Sequence, residues 1–349
     1  MALSTNSGAA NKPRVLIAGI AGASLGTELA KSLAQAGRYE IIGCDISPLA
    51  FGHYDPTFHR TFVIDHGNYI ESVLQLCSRE KIEVVVPGAE EVNTVMAAAA
   101  ARFAAAGLKL AINTPEVIAK FGNKSTTFSE LSRLGFRVPK TADCSNPAAF
   151  NAMTYPCVVK STIGSGGNLV FLAGDREEAI LRSQYVLRNA AAGVLQEYID
   201  DTEGEFTVAV LSLPDGRLVC SIALQRFFAA KLSVKLRDAA GLISSPYSQG
   251  LIDDFPTVRE QAERIAVAIG SRGPLDIQGR VKDGTFVPFE INPRFSGSVF
   301  LRTLAGFNHV DIFLQYLLSG NFEPPGTINS GYCFRSLSQV FINRDALKS

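Results

Sequence analysis

The sequence predicts a mixed protein, with a Rossmann-like α/β part first and an α+β part after it. Strands and helices alternate up to about residue 113, which is typical of a parallel sheet covered by helices. Beyond that point, Pro214-Asp215-Gly216 and Lys282-Asp283-Gly284 are turn sequences between neighbouring strands, as in antiparallel hairpins. A length of 349 residues and a hydrophobic content of 47% are sufficient for two or three domains with sizeable cores.

Apolar runs and glycine or proline punctuation place the elements of the first part. The predicted strands are 14–18, 39–45, 62–64, 82–86 and 108–112. The predicted helices are 27–36, 68–79 and an alanine-rich helix around 96–106. Apolar side chains recur at helical spacing in the second of these helices. A parallel sheet follows from this order.

The second part mixes helices with hairpins. Thr114-Pro115 has the form of a helix cap with proline at the first helical position. The predicted helices are 115–134, interrupted at 122–124, and 146–152, 175–189, 253–271 and 299–318. The predicted strands are 155–160, 169–172, 193–199, 205–211, 219–228, 273–280, 286–291 and a last strand around 333–341.

Composition limits the partners and the location of the protein. Lysine plus arginine equals aspartate plus glutamate, at 33 each, so no basic face for nucleic acid is expected. No run of about 18 apolar residues suggests a membrane span. The six cysteines lie more than four positions apart, which excludes a local zinc-type pair and favours reduced thiols in the cytoplasm. Residues 1–12 lack the apolar region of a secretory signal and are expected to form a disordered tail.

A glycine-rich turn follows the first predicted strand. Gly19, Gly22 and Gly26 precede a helix, and the second strand ends at Asp45, where dinucleotide folds place a ribose-binding acid. The spacing is not G-x-G-x-x-G, because two residues separate the first two glycines. An inert or substrate-facing Rossmann-like domain is therefore favoured, and an NAD-linked oxidoreductase remains an alternative.

Two neighbouring acids, Glu90 and Glu91, come after the strand 82–86. They would lie at the edge of the sheet where α/β proteins bind ligands, and could meet an amine or close against another domain. A solvated helix start, where acidic side chains favour the helix dipole, is the interpretation we prefer from sequence.

Lys160 ends a predicted strand, and the loop Gly164-Ser165-Gly166-Gly167 leads into the next one. A Walker loop would need a helix after its glycines, which this segment lacks. A glycine hairpin can instead lay backbone N–H groups over phosphates like a lid, with Lys160 as a point charge beneath it. The alternative is an ordinary hairpin with a surface lysine.

Oxygen ligands converge on the hairpin 273–291. Glu290 and Asn292 are two apart in a strand, so their side chains share a face, and Gln278 lies on the partner strand. Carboxylate and amide oxygens suit Mg²⁺, and the guanidinium of Arg294 matches a phosphate or carboxylate. The alternative is an edge strand that ends at Pro293 with a solvated acid and base.

Taken together, these features resemble the ATP-grasp superfamily, and above all the synthetase domains of the carbamoyl phosphate synthase large subunit and stand-alone relatives. The Glu-Ile-Asn-Pro-Arg segment at 290–294 and the glycine-rich loop are the most specific parts of a resemblance that covers about residues 13–341. It implies an ATP-grasp fold with a small lid subdomain. The implied domains are a Rossmann-like pre-ATP-grasp domain (13–114), linker helices and lid (115–195), and a C-terminal catalytic subdomain (196–349).

The resemblance also implies roles for individual residues. Lys124 and Lys160 would hold the ATP phosphates, Glu205 would accept from a ribose hydroxyl, and Arg294 would steady the transferred phosphoryl group or the substrate carboxylate. Lys160, Glu290 and Arg294 would be catalytic. The remaining implied residues are the phosphate-covering loop Gly164, Ser165, Gly166 and Gly167, the adenine hinge Gln196, Glu197, Tyr198 and Ile199, and the ligands Gln278, Glu290 and Asn292 of two Mg²⁺ ions, with Mn²⁺ as an alternative.

Two features depart from the family pattern. Many relatives have an acid where Gln278 stands, although synthetase-like domains accept glutamine there. The loop 226–242 matches no substrate signature, so Arg226, Lys231, Lys235 and Arg237 are only guesses for substrate contacts.

The function that the resemblance implies is an ATP-dependent carboxylate–amine ligase that acts on small molecules through an acyl phosphate. Phosphorylation of bicarbonate or carbamate and a non-catalytic ATP-binding regulator are the alternatives. A homodimer is expected from relatives.

Overall fold

A five-stranded parallel sheet with helices on both faces forms the first part of the chain in the computed structural model. The structure describes residues 12–22, 25–162, 169–227, 236–238, 241–243, 249–336 and 338–348. The elements of this part are β1 (Arg14–Ala18), α1 (Leu25–Ala36), β2 (Glu40–Asp45), β3 (Arg60–Val63), α2 (Tyr69–Glu80), β4 (Val84–Pro87), α3 (Glu90–Ala98), α4 (Ala100–Ala105) and β5 (Lys109–Leu110). The spatial order β3-β2-β1-β4-β5 confirms the predicted parallel sheet. The single predicted alanine-rich helix is wrong, because Ala99 separates α3 from α4.

Glycine allows two βα turns of this sheet to touch. Gly19 has a φ of 93°, in the left-handed region, and a Cβ on Gly26 would lie 2.0 Å from the carbonyl oxygen of Gly19. The amide of Gly26 donates to the carbonyl oxygen of Gly88 at 3.1 Å. The turn after β1 therefore lies directly against the turn after β4, which leads into Glu90.

A small antiparallel sheet and its helices come next. The elements are α5 (Pro115–Phe121), α6 (Lys124–Arg133), β6 (Thr141–Asp143), α7 (Pro147–Ala152), β7 (Cys157–Ser161), β8 (Val170–Ala173), α8 (Arg176–Asn189) and β9 (Gly193–Glu197). The strand order is β6-β9-β7-β8. The predicted cap of α5 is confirmed, since Oγ1 of Thr114 accepts from the amide of Val117 at 3.3 Å.

A six-stranded antiparallel sheet forms the remainder. The elements are β10 (Glu205–Ser212), β11 (Leu218–Arg226), β12 (Leu236–Asp238), β13 (Gly241–Ile243), β14 (Gly250–Ile252), α9 (Pro256–Ala268), β15 (Pro274–Lys282), β16 (Thr285–Asn292), α10 (Val299–Leu304), α11 (His309–Ser319) and β17 (Gly331–Cys333). The order is β16-β15-β10-β11-β14-β17, and β12 forms a separate two-stranded sheet with β13.

Two predicted elements near the C-terminal end differ from the structure. The predicted helix 299–318 is two helices, because Gly306 adopts a φ of 100° between them. The predicted last strand 333–341 is wrong. β17 ends at Cys333, which pairs with Gly250, the first residue of β14.

A single apolar core joins the first sheet to the end of the chain. Leu29 and Leu33 of α1 belong to the same buried cluster as Phe307 and Phe313 near the C-terminal end. Side chains of β10 and β11 complete this cluster. The first domain is thus held against the rest of the chain by burial of apolar surface.

Candidate active site

One face of the six-stranded sheet is apolar, whereas the other is polar in one part and apolar where side chains of β10 and β11 join the core shared with the first domain. Alternation along β10 and β15 sends Phe206, Val208 and Ile277 into the core under α9. The intervening positions carry polar side chains on the opposite face. These are Glu205 and Thr207 on β10, Asp276, Gln278 and Arg280 on β15, Glu290 and Asn292 on β16, and Arg226 on β11. The strand period therefore gathers these polar side chains on one part of that face, here called the polar face.

Strand register places the three oxygen ligands predicted from sequence beside one another. Gln278 lies opposite Glu290, and Asp276 lies opposite Asn292. An irregularity between Gln278 and Gly279 shifts the register without separating the first pair. The prediction that Gln278 faces Glu290 across a hairpin is confirmed.

The three predicted oxygen ligands differ in whether they already accept hydrogen bonds from protein groups. Oε1 of Gln278 accepts from Arg226 at 3.2 Å, and Oδ1 of Asn292 accepts from Arg294 at 3.3 Å. Glu290 is half-buried and makes no hydrogen bond or ion pair with the residues that the structure describes. A half-buried carboxylate without a protein partner fits a cation or donor from a ligand. Within the described ranges, no cluster of three or more His, Cys, Asp or Glu side chains offers an all-protein metal site. A set with a single carboxylate suits Mg²⁺ that is also bound by phosphate.

Lys160 is a buried cation at the junction of the two antiparallel sheets. It is 5% exposed, so the alternative of a surface lysine is wrong. Its Nζ donates to Oε1 of Gln196 at 2.8 Å and to the carbonyl oxygen of Phe289 at 3.0 Å, and it lies 5.4 Å from the ring centre of Phe128. The lysine thus links β7 and β9 of the small sheet to β16 of the large sheet.

The predicted adenine hinge connects these two sheets. Gln196 and Glu197 end β9, and Oε2 of Glu197 accepts from the amide of Lys140 at 3.0 Å. The carbonyl of the buried Ile199 accepts a hydrogen bond from Arg280, whose guanidinium lies 4.9 Å from the ring centre of Tyr198. Arg280, which we did not single out from sequence, therefore anchors the hinge to the polar face.

Glu205 is enclosed by two arginines. Its Oε1 lies 2.9 Å from Nη1 of Arg226, and its Oε2 lies 2.8 Å from Nη2 of Arg280. Burial alone would lower the pKa of Arg280, but the adjacent Glu205 carboxylate and the Tyr198 side chain together outweigh burial, and the pKa is raised. The ribose role of Glu205 stays a prediction, since both of its oxygens already accept from guanidinium groups.

Arg294 reaches the first domain. Its Nη2 lies 2.8 Å from Oε2 of Glu90, its Nη1 donates to the carbonyl of Phe295 at 2.9 Å, and its Nε is buried without a described partner. The preferred sequence interpretation, a solvated helix start, is wrong for Glu90. This side chain is only 20% exposed and closes against the other domain, whereas Glu91 is exposed.

A buried ion pair beneath the site was missed in the sequence. Nη2 of Arg302 lies 2.7 Å from Oδ1 of Asp276, with both side chains at most 1% exposed. Arg302 also donates to Thr207 at 3.0 Å and to Ser296 at 2.8 Å. Two sequence features could have indicated this pair. Arg302 is the one charged residue in the apolar segment 299–304, and Asp276 lies two residues before Gln278, on the same face of the strand.

The glycine turn of the first domain does not present its acid to a dinucleotide. Oδ2 of Asp45 accepts from the amide of Ile20 at 2.8 Å, and Oδ1 accepts from the amide of Ser47 at 3.0 Å. A Cβ on Gly22 would lie 2.8 Å from Cβ of Phe51. Asp45 therefore holds the turn closed, which disfavours the NAD alternative.

Several predicted site residues lie outside the described parts of the chain. These are Gly164, Ser165, Gly166 and Gly167, the side chain of Lys124, which begins α6, and Lys231, Lys235 and the side chain of Arg237. All six cysteines are described and free, and four of them are buried. Among the helices that the structure describes, none has both the length and the apolar character needed to cross a membrane.

Two protein-family models match the chain. Residues 17–111 match the "PylC-like, N-terminal domain", and residues 190–340 match "ATP-grasp in the biosynthetic pathway with Ter operon". The first match coincides with the parallel sheet, and the second contains the whole polar face.

Curated relatives of the chain include a beta-citrylglutamate synthase and a carbamoyl phosphate synthase large chain. Beta-citrylglutamate synthase B of Danio rerio is 27% identical over 220 residues, which cover 60% of this chain and 50% of the relative. The carbamoyl phosphate synthase large chain of Deinococcus deserti is 23% identical over 68% of this chain and 22% of its own. The chain thus spans half the length of the first of these relatives and less of the second.

Solved structures share the fold at low sequence identity. An N5-carboxyaminoimidazole ribonucleotide synthetase in complex with ADP has a TM-score of 0.68 at 16% identity, over 91% of this chain and 80% of its own. The biotin carboxylase domain dimer of the Hydrogenobacter thermophilus 2-oxoglutarate carboxylase, with MgADP and bicarbonate, has a TM-score of 0.67 at 14% identity, over 90% and 71%. The L-amino acid ligase of Bacillus licheniformis has a TM-score of 0.65 at 18% identity, over 90% and 78%.

Proposed function

We propose that this chain, which belongs to the ATP-grasp superfamily, is an ATP-dependent carboxylate–amine ligase. It would join a small carboxylic acid to an amine as an amide or peptide-like bond and release ADP and phosphate. One observation carries the proposal. The carboxylate of Glu290, which has no partner among the described residues, lies on the polar face beside amide oxygens, with buried or half-buried cations from Lys160 and Arg294 at its edges.

ATP would bind between the two antiparallel sheets. Gln196, Glu197, Tyr198 and Ile199 would grip adenine, and Glu205 would approach the ribose. Lys124, Lys160 and the loop Gly164, Ser165, Gly166 and Gly167 would hold and cover the phosphates. The position of Lys160, donating to Gln196 on one side and to Phe289 on the other, supports this arrangement.

Gln278, Glu290 and Asn292 would hold Mg²⁺, which ATP-grasp enzymes generally use. We propose two ions, with Mn²⁺ as an alternative. When bound, Mg²⁺ neutralises phosphate charge as it moves in phosphoryl transfer. The amide oxygens of Gln278 and Asn292 are held in place by Arg226 and Arg294, so they are oriented before a ligand arrives.

The reaction activates a poor electrophile. A carboxylate oxygen of the acid attacks the γ-phosphorus, the bond to the β-phosphate oxygen breaks, and ADP leaves. The amine nitrogen then attacks the acyl carbon, the C–N bond forms, and phosphate departs. Such transfer needs positioning and charge neutralisation more than a covalent protein group, and Lys160 and Arg294 supply that charge.

The substrates are proposed as a class. The names of the relatives, a beta-citrylglutamate synthase and an L-amino acid ligase, support small acids joined to amino acids. We also propose a homodimer, since a neighbouring structure is a domain dimer, and a cytoplasmic location, since all six thiols are free.

Trapping of the acyl phosphate tests the proposal. Protein, MgATP and hydroxylamine are incubated with citrate, N-acetyl-L-aspartate and each of the twenty L-amino acids as the acid. We expect at least one acid to give ADP and its hydroxamate in equal amounts, and Glu290→Ala to abolish both. ATP binding without ADP release for every acid would contradict the ligase and favour a regulatory protein.

Bicarbonate phosphorylation is the second candidate, favoured by the similarity to the carbamoyl phosphate synthase large chain over 68% of this chain. It would show as ADP release that depends on bicarbonate and needs no organic acid.

A further inference from the structure

Glu90 and Arg294 form an ion pair between the two halves of the protein, 204 residues apart in sequence. Glu90 is the first residue of α3, directly after the turn that follows β4 in the parallel sheet. Arg294 follows β16 of the ATP-grasp domain. The side chain of Glu90 is 20% exposed and that of Arg294 is 14% exposed, so the pair is largely withdrawn from solvent. A carboxylate of the first domain thus forms an ion pair with the guanidinium that the proposed reaction needs.

The guanidinium of Arg294 has a donor that the described residues leave unused. Its Nη1 donates to a backbone carbonyl and its Nη2 to Glu90 and Asn292, while Nε is buried and has no partner among the described residues. A single positive charge cannot fully neutralise two carboxylates. The acid substrate, or the phosphoryl group on it, therefore competes with Glu90 for Arg294.

A largely buried carboxylate that loses its cation raises the free energy of the protein until another cation takes that place. The second substrate of the proposed ligase supplies such a cation, because an aliphatic amine is an ammonium ion at neutral pH. We infer that Glu90 binds this ammonium group once Arg294 has engaged the acyl phosphate, and then accepts its proton. This inference rests on the proposed function and adds to it the class of the amine, which is one that arrives protonated.

The ammonium group of a primary amine gives one proton to the Glu90 carboxylate, and the freed lone pair attacks the acyl carbon. The C–N bond forms, the C–O bond to phosphate breaks, and phosphate leaves with the electron pair. The second nitrogen proton passes to the departing phosphate, and the amide keeps the third. Glu90 returns its proton to solvent and pairs again with Arg294.

Two nucleophiles distinguish this role from a structural one. Hydroxylamine is largely uncharged at about pH 7, so it needs no carboxylate to bind or deprotonate it. The wild-type chain, Glu90→Gln and the control Glu91→Gln are compared, using the acid that gives hydroxamate. The nucleophile is either hydroxylamine or each of the twenty L-amino acids. Glu91 is the matched control because it is the exposed neighbour of Glu90.

We expect Glu90→Gln to lower kcat/KM for the amino acid by roughly 100-fold or more, within the range of general base catalysis. Hydroxamate formation should change by less than about threefold, because it bypasses the proposed role. Glu91→Gln should alter neither rate. Glu90→Asp, which keeps a carboxylate, should recover part of the amide-forming activity and serves if the glutamine variant folds poorly.

Three results would overturn the inference. They are an equal loss of hydroxamate and amide in Glu90→Gln, unchanged amide formation in that variant, and a wild-type protein that makes hydroxamate but accepts no ammonium-bearing amine. Failure of the wild-type protein to form hydroxamate with any acid would instead contradict the proposed function itself.

Discussion

Lys160 shows how burial changes the meaning of a charged residue. In the sequence it ends a strand before a glycine-rich loop, where a surface lysine and a phosphate ligand are equally plausible. In the structure its ammonium group is 5% exposed and donates to Gln196 and to the carbonyl of Phe289. A buried cation at the seam of two sheets is suited to an anionic ligand between them.

We therefore expect Lys160→Gln to weaken MgATP binding by roughly 10- to 100-fold, as loss of a hydrogen bond to a charged group costs about 1.5–3 kcal/mol. Isothermal titration with MgATP measures the change. Lys140→Gln is the control, because Lys140 is an exposed lysine of the same subdomain whose Nζ donates to the carbonyl of Ala152. Equal affinity for the wild type and Lys160→Gln would remove Lys160 from the nucleotide site.

His309 gives a prediction about stability and pH. Burial lowers its pKa to about 3, and the positive charge of Arg302 acts in the same direction. Between about pH 6.5 and pH 3 the unfolded chain binds a proton that the native state excludes. Stability is therefore complete above the unfolded pKa and is lost as the pH falls, by at most about 1.4 kcal/mol per pH unit.

Replacement by phenylalanine removes this proton while keeping a ring between Phe307 and Phe295. Denaturant unfolding at about pH 7 and pH 5 should show a smaller loss of stability in His309→Phe than in the wild type, by about 1–2 kcal/mol. Parallel losses in the two proteins would show that His309 is not the group that titrates.

At the scale of elements, the polar face depends on a charge pair beneath it. Asp276 of β15 and Arg302 of α10 are joined at 2.7 Å, and Thr207 and Ser296 complete the network. This pair fixes α10, and with it the segment 294–298, against the strands that carry the site. A buried pair gives little net stability compared with apolar residues, but removal of one partner leaves an uncompensated charge.

Asp276→Ala should accordingly lower the free energy of unfolding by about 3–5 kcal/mol, and the double variant Asp276→Ala with Arg302→Met should lose less than the single one. Chemical denaturation measures both. The control Glu71→Ala breaks the exposed pair with Arg102 and should cost about 1 kcal/mol or less. A single variant no weaker than this control would contradict the importance of the buried pair.

The same elements show what the sequence could predict. Period-two alternation and the Lys282-Asp283-Gly284 turn were sufficient to place Gln278 opposite Glu290, because a hairpin is local. Pairs between distant segments left no local trace, and Glu90 was therefore interpreted as solvated. The strand Thr141–Asp143 was missed because three residues are too few to show a period, and its pairing with β9 comes from tertiary contact.

At the scale of the whole molecule, the first domain and the C-terminal helices pack together as one unit beside the candidate active site. Their shared apolar core is reinforced by Tyr39, whose hydroxyl donates to Asp311 at 2.7 Å, and by Asn308, which donates to the carbonyl of Ser32 at 2.7 Å. Glu90 and Arg294 therefore meet across a packed boundary. The arrangement suits a reaction in which the acyl phosphate must meet an amine before water does.

The central claim is that the γ-phosphoryl group of ATP is transferred to a substrate carboxylate. It is tested most directly by isotope transfer, using the acid that gives hydroxamate, labelled with ¹⁸O in its carboxylate, together with MgATP and an amine. An acyl phosphate predicts that each phosphate released carries a single ¹⁸O from the acid, in step with ADP and amide formation. Unlabelled phosphate, or label recovered in AMP, would contradict the account.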